Sequence, residues 1–275
     1  MTAADSYFQT ERHGPVLRLT LSRPDKRNAM GPAFWDGMAP QIEAIDADLD
    51  VRCEVLDGAG ASFTAGLDLM QMAGTLPIDL GPAAPDGRKQ AALHALIRRM
   101  QAAISSVERC RVPVIAAVHG HCLGGGVDLI TACDIRYCAA DAVFGVRETR
   151  LAMVADVGTL QRLPAIVGPG RARELVFTGR DFGAEEALRI GLVDRVLPDA
   201  EALREAALQT AREIAANAPL AVEGAKRVLV EADRARVEAS LEYVATWNAA
   251  HLRTRDLGAA FAAFASRTPP DFEGR

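Results

Sequence analysis

The chain has 275 residues, 49% of them apolar, with 31 basic against 36 acidic side chains and a net charge of −5. That supports one large domain, or a domain with an appendage, and the interspersed charge argues against a nucleic-acid surface as the main function. No uncharged apolar run reaches membrane-spanning length, the N-terminal MTAADSYFQTERHG has no secretory pattern and the final DFEGR is no peroxisomal tripeptide, so a cytoplasmic protein is expected.

VLRLTL at 16–21 alternates and predicts a strand. SRPDKRNAMGP then breaks regular structure with two prolines and a glycine. Phe34, Met38, Ile42 and Ile45 recur at helical spacing and predict a helix over 34–47, and 53–56 reads as a second short strand. Strand, helix, strand in this order suggests a right-handed crossover. In DGAGASFTAGLDLMQM, Gly58 and Gly60 mark a loop, and Gly66 allows a tight turn before a helix-like 67–72. TLPIDLGPAAPDGRK, at 75–89, is Pro- and Gly-rich and is expected to be mobile. Leu93, Leu96, Ile97, Met100, Ile104 and Val107 predict a long helix over 90–110.

The densest stretch, 112–164, begins with an apolar strand at 114–118 and a loop at 119–123. Gly124, Gly125 and Gly126 follow, then an apolar helix over 127–133. Short strands are predicted at 135–138, 143–146 and 192–196, with helices at 158–167, 170–177 and 184–190 between the last two. From 200 the pattern is helical, as four segments at 200–216, 220–231, 234–248 and 254–266. An α/β region over 1–199 and a helical region over 200–275 are therefore expected, the second packing on the first or on another subunit. The five cysteines are odd in number without C-x-x-C spacing, which points to reduced, buried thiols.

Backbone N–H groups at a glycine-rich helix start have no intrahelical partner and suit an anionic oxygen. Three carboxylates lie in or just after that unit: Asp128, Glu148 and Asp156. An oxyanion site beside carboxylates can move a proton next to a carbonyl. Each carboxylate also has an ordinary reading. Asp128 sits in the first turn of a helix, Glu148 lies among Arg147 and Arg150 and suits a surface ion pair, and Asp156 suits an N-cap for the helix opening at Gly158. His119 and His121 lack an evident third ligand, so no metal is expected.

FTAGLDL and HGHCLGGGVDL lie about sixty residues apart, and with RPDKRNAM, GLVDRV and APLAVEGAKRV they resemble the crotonase (enoyl-CoA hydratase/isomerase) superfamily. Within it, GGGVDLITACDIRYC, VRE and VADVGTLQRLP are most similar to the dienoyl-CoA isomerase branch. The resemblance implies a spiral of repeated ββα turns with a helical C-terminal trimerisation region. It implies a homotrimer or homohexamer acting on an acyl-CoA thioester, with CoA as part of the substrate and no separate cofactor, metal, nucleic acid or membrane. It places an oxyanion hole at the N–H groups of Leu67 and Gly125. It carries catalysis to Asp128, Glu148 and Asp156, with Glu148 serving C2 and Asp156 serving C6 of a 3,5-dienoyl-CoA. Lys26 and Arg27 become candidate CoA phosphate partners. Ala29, Ala65, Gly66, Asp68, Leu69 and Gly126 become candidate contacts along the rest of the substrate. An enoyl-CoA hydratase using Asp128 and Glu148 is the alternative enzyme, and a non-catalytic or RNA-binding scaffold the alternative class.

Overall fold

The computed structural model describes residues 7–73, 86–266 and 268–275. The segment expected to be mobile falls mostly on 74–85, outside the described residues; its end, from Asp86, opens a helix whose first N–H groups the Asp86 carboxylate accepts.

Among the described residues the strands are β1 (Phe8–His13), β2 (Val16–Leu21), β3 (Cys53–Gly58), β4 (Val114–Val118), β5 (His121–Leu123), β6 (Ile135–Ala139), β7 (Val143–Gly145), β8 (Asp181–Gly183) and β9 (Arg195–Leu197). The helices are α1 (Pro32–Ala47), α2 (Leu69–Ala73), α3 (Gly87–Arg109), α4 (Gly125–Thr131), α5 (Thr159–Val167), α6 (Pro169–Thr178), α7 (Ala184–Arg189), α8 (Ala200–Ala215), α9 (Pro219–His251) and α10 (Arg255–Ser266). Six strands form the main sheet in the order β1-β2-β3-β4-β6-β9, parallel except for the β1–β2 hairpin. A small second sheet has the order β5-β7-β8.

A parallel sheet covered on both faces needs apolar side chains on both, which is why VIAAV of β4 has no polar alternation. One face, with Cys53, Val55, Ile115 and Ala117, packs on Leu203, Ala207 and Ala211 of α8. The other, with Leu56, Val114 and Ala116, belongs to a core shared with Phe34, Met38 and Ile42 of α1 and Ile104 of α3. α9 packs on α3 and α5, and α10 on a 3-10 turn at Glu148–Leu151.

Several elements differ from expectation. The two helices predicted over 220–231 and 234–248 are one continuous helix, α9. Its middle is polar and exposed, so the apolar pattern lapses there. The backbone continues because Arg234 pairs with Glu231 and Glu238, and Arg236 with Asp233, at helical spacing. Strand β1 carried no apolar alternation because most of it is an exposed hairpin edge. The predicted loop 119–123 contains β5, too short for a pattern to register. All five cysteines are free and buried.

Candidate active site

The spiral explains why residues far apart in sequence converge. Each turn runs along a main-sheet strand, bends into a short second-layer strand, and then enters a helix or helical turn. β4 leads through β5 to α4, and β6 leads through β7 to the Glu148 turn. β3 leads through Thr64, which bridges Cys122 of β5, to α2. Residues just past the second-layer strands therefore stack in adjacent turns, one strand spacing apart. Leu67, Gly125 and Glu148 occupy these three places.

At Leu67 the chain bridges Met30 in parallel. Met30 N–H donates to Gly66 O at 2.7 Å, and Asp68 N–H donates to Met30 O at 3.1 Å. Strand alternation turns the Leu67 N–H away from Met30, and it has no acceptor among the described residues. Gly125 is the first residue of α4, so its N–H also lacks an intrahelical acceptor. The two turns touch. Gly66 has φ +84°, and a methyl group built there would collide with Leu123 O and lie 3.5 Å from the Gly125 nitrogen. Gly124, at φ +50°, lets the chain turn into α4 with its own N–H donating to Gly145 O at 2.9 Å. Among the described residues neither amide has an acceptor, and the two share a corner lined by Met30 and Trp35, which lie beneath Gly125.

The three carboxyls gather beside this corner. A methyl group on Gly124 would lie 3.3 Å from Glu148 Oε1, so Glu148 reaches the glycine turn. Its Oε2 is shielded from solvent and has no hydrogen-bond partner among the described residues, and the same holds for Asp128 Oδ2. Asp128 Oδ1 accepts the Thr159 N–H at 2.5 Å. Asp156 Oδ2 accepts from Asn248 Nδ2 at 2.6 Å. Burial raises all three above the carboxylate range. For Glu148 the charges of Asp128 and then Asp156 add to burial. Burial pushes Asp156 up to about 7; the Asn248 hydrogen bond opposes the rise and the Asp128 charge adds to it. In Asp128 the Thr159 N–H partly offsets burial. A cluster that is part protonated near neutrality, beside two unengaged amides, can exchange protons with a polarised carbonyl compound.

The ordinary readings fare differently. Arg147 pairs with Asp181 instead of Glu148. The N-terminus of α5 is capped, but by Asp128 from α4 instead of Asp156. His119 bonds Gly60 O at 2.9 Å, and His121 bonds Ser62 Oγ at 3.3 Å.

Among the remaining predicted residues, Lys26 and Arg27 are exposed at the end of a 3-10 turn, Pro24–Lys26. Ala29 is half-buried nearby, and Ala65 N–H donates to Arg27 O at 2.8 Å, tying this loop to the Leu67 turn. Asp68 is engaged by Arg23 at 2.6 Å, and its Oδ1 accepts the Gln71 N–H at 3.1 Å, so its carboxylate anchors the turn. Leu69 is buried, and Gly126 is pressed on Thr64, whose Cγ2 a methyl there would meet at 2.6 Å.

Sequence reasoning missed the residues that hold the site. Asn28, fully buried with φ +53°, donates from Nδ2 to Ala59 O, Ser62 O and Phe63 O, fixing the FTAGLDL turn. Asn248 and Gln101 both grip Asp156, Gln101 through its carbonyl at 2.6 Å. A signal existed for Asn248: it continues the buried stripe Val237, Leu241, Val244 and Ala245 of α9, where an amide needs a partner.

The profile of the Enoyl-CoA hydratase/isomerase family matches residues 11–275. The chain is 50% identical over 255 residues to the mitochondrial Delta(3,5)-Delta(2,4)-dienoyl-CoA isomerase of Homo sapiens, covering 92% of this chain and 77% of that one. It is 44% identical to the peroxisomal enzyme of the same name from Arabidopsis thaliana, covering 94% and 92%. The crystal structure of an enoyl-CoA hydratase/isomerase from Pseudoalteromonas atlantica T6c superposes with a TM-score of 0.83 at 26% identity, covering 97% of this chain and all of that one. These relatives correct the expected cytoplasmic location, since the two dienoyl-CoA isomerases named here are mitochondrial and peroxisomal. The expectation rested on the lack of a recognisable targeting pattern, and a lacking pattern does not fix a compartment. Profile, relatives and spiral architecture agree: the chain has the crotonase fold and belongs to the enoyl-CoA hydratase/isomerase family.

Proposed function

We propose that this chain is a Δ3,5-Δ2,4-dienoyl-CoA isomerase, converting a 3,5-dienoyl-CoA to the 2,4-dienoyl-CoA. The observation that carries the reading is Asp156. It is a third carboxyl, raised to about 7, beyond the Asp128 and Glu148 pair that hydration would employ. The relatives of the same name support it.

In this scheme the thioester oxygen accepts hydrogen bonds from the Leu67 and Gly125 N–H groups. Glu148, beside the glycine turn, takes a proton from C2. The C2–H electron pair spreads through the conjugated chain onto the thioester oxygen, where each amide is worth about 3 kcal/mol of barrier. Asp156 donates its proton to C6, the electrons return, and the double bonds stand at C2 and C4. No water, oxidant or reductant enters, and CoA is present only as part of the substrate. The Glu148–Asp156 pair begins and ends with one shared proton, transferred from Asp156 to Glu148 during turnover and returned before the next. Asp128, buried between a neighbouring helix terminus and Glu148, makes loss of that last proton harder by like-charge repulsion.

Lys26 and Arg27 serve in this reading as phosphate partners for CoA, with Ala29, Ala65, Gly66, Leu69 and Gly126 along its thioester arm. Asp68 acts indirectly, through the Arg23 ion pair that fixes the turn. A homotrimer or homohexamer fits the exposed Leu220, Leu229, Tyr243 and Phe264 on α9 and α10, which light scattering on purified protein tests.

The test of function is ultraviolet absorbance with a 3,5-dienoyl-CoA against a simple 2-enoyl-CoA. Appearance of the conjugated 2,4-dienoyl chromophore is expected. Loss of the 2-enoyl band by hydration, with no change in the dienoyl substrate, would replace this reading with that of a hydratase.

A further inference from the structure

We propose that Asn248, on α9, is a positioning residue of this reaction: its amide holds the Asp156 carboxyl in the orientation from which the proton reaches C6. The inference rests on the isomerase reading above. Asn248 is buried to 2% exposure inside the apolar stripe of α9. Its Nδ2 donates twice, to Asp156 Oδ2 at 2.6 Å and to Val154 O at 2.9 Å, so it sets the side chain and the approach of the loop together. A second carboxamide supports the same loop from α3. Gln101 Nε2 donates to Asp156 O at 2.6 Å and to Leu241 O at 2.9 Å, and Arg98 Nη1 donates to Gln101 Oε1 at 2.7 Å, which orients that amide.

The two amides act differently because they touch different atoms. Gln101 meets only the backbone carbonyl of Asp156, whereas Asn248 meets the group that ionises. A donor fixed on a carboxylate favours its charged form. Asn248 therefore keeps Asp156 an effective acid in a place where burial would otherwise make it hold its proton too tightly. The charged groups around Asp156 are Asp128 from α4 and Glu148 from the 3-10 turn, both of which oppose ionisation; the Asn248 amide, and after it the Asp156 backbone N–H, act the other way. Arg162 of α5 faces Asp128 and is paired with Glu108.

Asn248→Asp is nearly isosteric and replaces the donor with a second carboxyl oxygen. The measurement is the pH dependence of kcat for dienoyl isomerisation in the full chain. The alkaline limb, where the last proton leaves the pair, is expected to move upward by about one unit or more, with kcat at pH 7 down at least about tenfold from the lost orientation of the carboxyl and KM for the CoA substrate nearly unchanged. Asn248→Leu, which also lacks the donor, is expected to move the limb the same way and stands in if the first variant does not fold. Gln101→Leu is expected to lower kcat without moving the limb. If wild type isomerises the diene and the Asn248 variants keep its pH limb and kcat, the positioning role is refuted. If wild type makes no 2,4-dienoyl product, the isomerase reading itself has failed.

Discussion

Gly66 is the residue whose smallest alteration should damage the proposed chemistry most. It has φ +84°, in the left-handed region that alanine enters at a cost of about 1–2 kcal/mol. The added methyl would also collide with Leu123 O, a backbone atom held by β5, and sit 3.5 Å from the Gly125 nitrogen. Neither neighbour can rotate away, so the FTAGLDL turn must retreat from α4 by roughly half an ångström or more. That separates the Leu67 and Gly125 amides, and losing one oxyanion donor raises the barrier by about 3 kcal/mol, a rate loss of at least about a hundredfold. Gly66→Ala should therefore lower kcat by that factor in the ultraviolet assay, with a drop in thermal midpoint of several degrees for the backbone strain. A folded Gly66→Ala enzyme retaining kcat within threefold of wild type would refute the paired-amide argument.

Two further outcomes follow from the buried acids. The isomerase should show a bell-shaped pH–rate profile. Its acid limb lies near pH 7, where the Glu148–Asp156 pair takes up a second proton, and its alkaline limb above that, where the last proton leaves; activity rising steadily from pH 4 to 6 and then flat would contradict the raised carboxyls. Glu54 in β3 is fully buried, neither carboxyl oxygen has a hydrogen-bond partner among the described residues, and burial raises it from 4.5 to about 8 with Lys226 opposing. Between those values the unfolded chain has released the proton that the fold retains, so stability falls as pH rises, by about 1.4 kcal/mol per unit, and levels off above 8. Glu54→Leu should flatten that slope and raise the thermal midpoint at pH 8, and a lower midpoint there would show that the buried acid contributes an interaction of its own.

The sequence made the main sheet and most helices legible because a covered parallel sheet writes continuous apolar runs such as VIAAV, and amphipathic helices write periodic ones. It was silent where structure depends on polar or very short segments. Strand β1 is mostly exposed, β5 has three residues, and the middle of α9 is held by ion pairs instead of burial. At the site, the glycine turns and the carboxyls stood out as residue types in motifs. Their supports did not: Asn28 lies within RPDKRNAM but its role shows only in the carbonyls it binds, and Gln101 and Asn248 lie outside every motif and acquire meaning only from the partner each one faces. Asp128 illustrates a shared role: it caps α5 and also charges the cluster, a pairing of elements that linear spacing could not display.

The central claim is that Glu148 and Asp156 attend opposite ends of one substrate, and solvent isotope exchange at C2 tests it most directly. In heavy water, Asp156→Asn should incorporate deuterium at C2 of recovered 3,5-dienoyl-CoA while forming no 2,4-dienoyl product. Glu148→Gln should do neither. Loss of C2 exchange in Asp156→Asn, with exchange intact in Glu148→Gln, would contradict the assignment of the two acids.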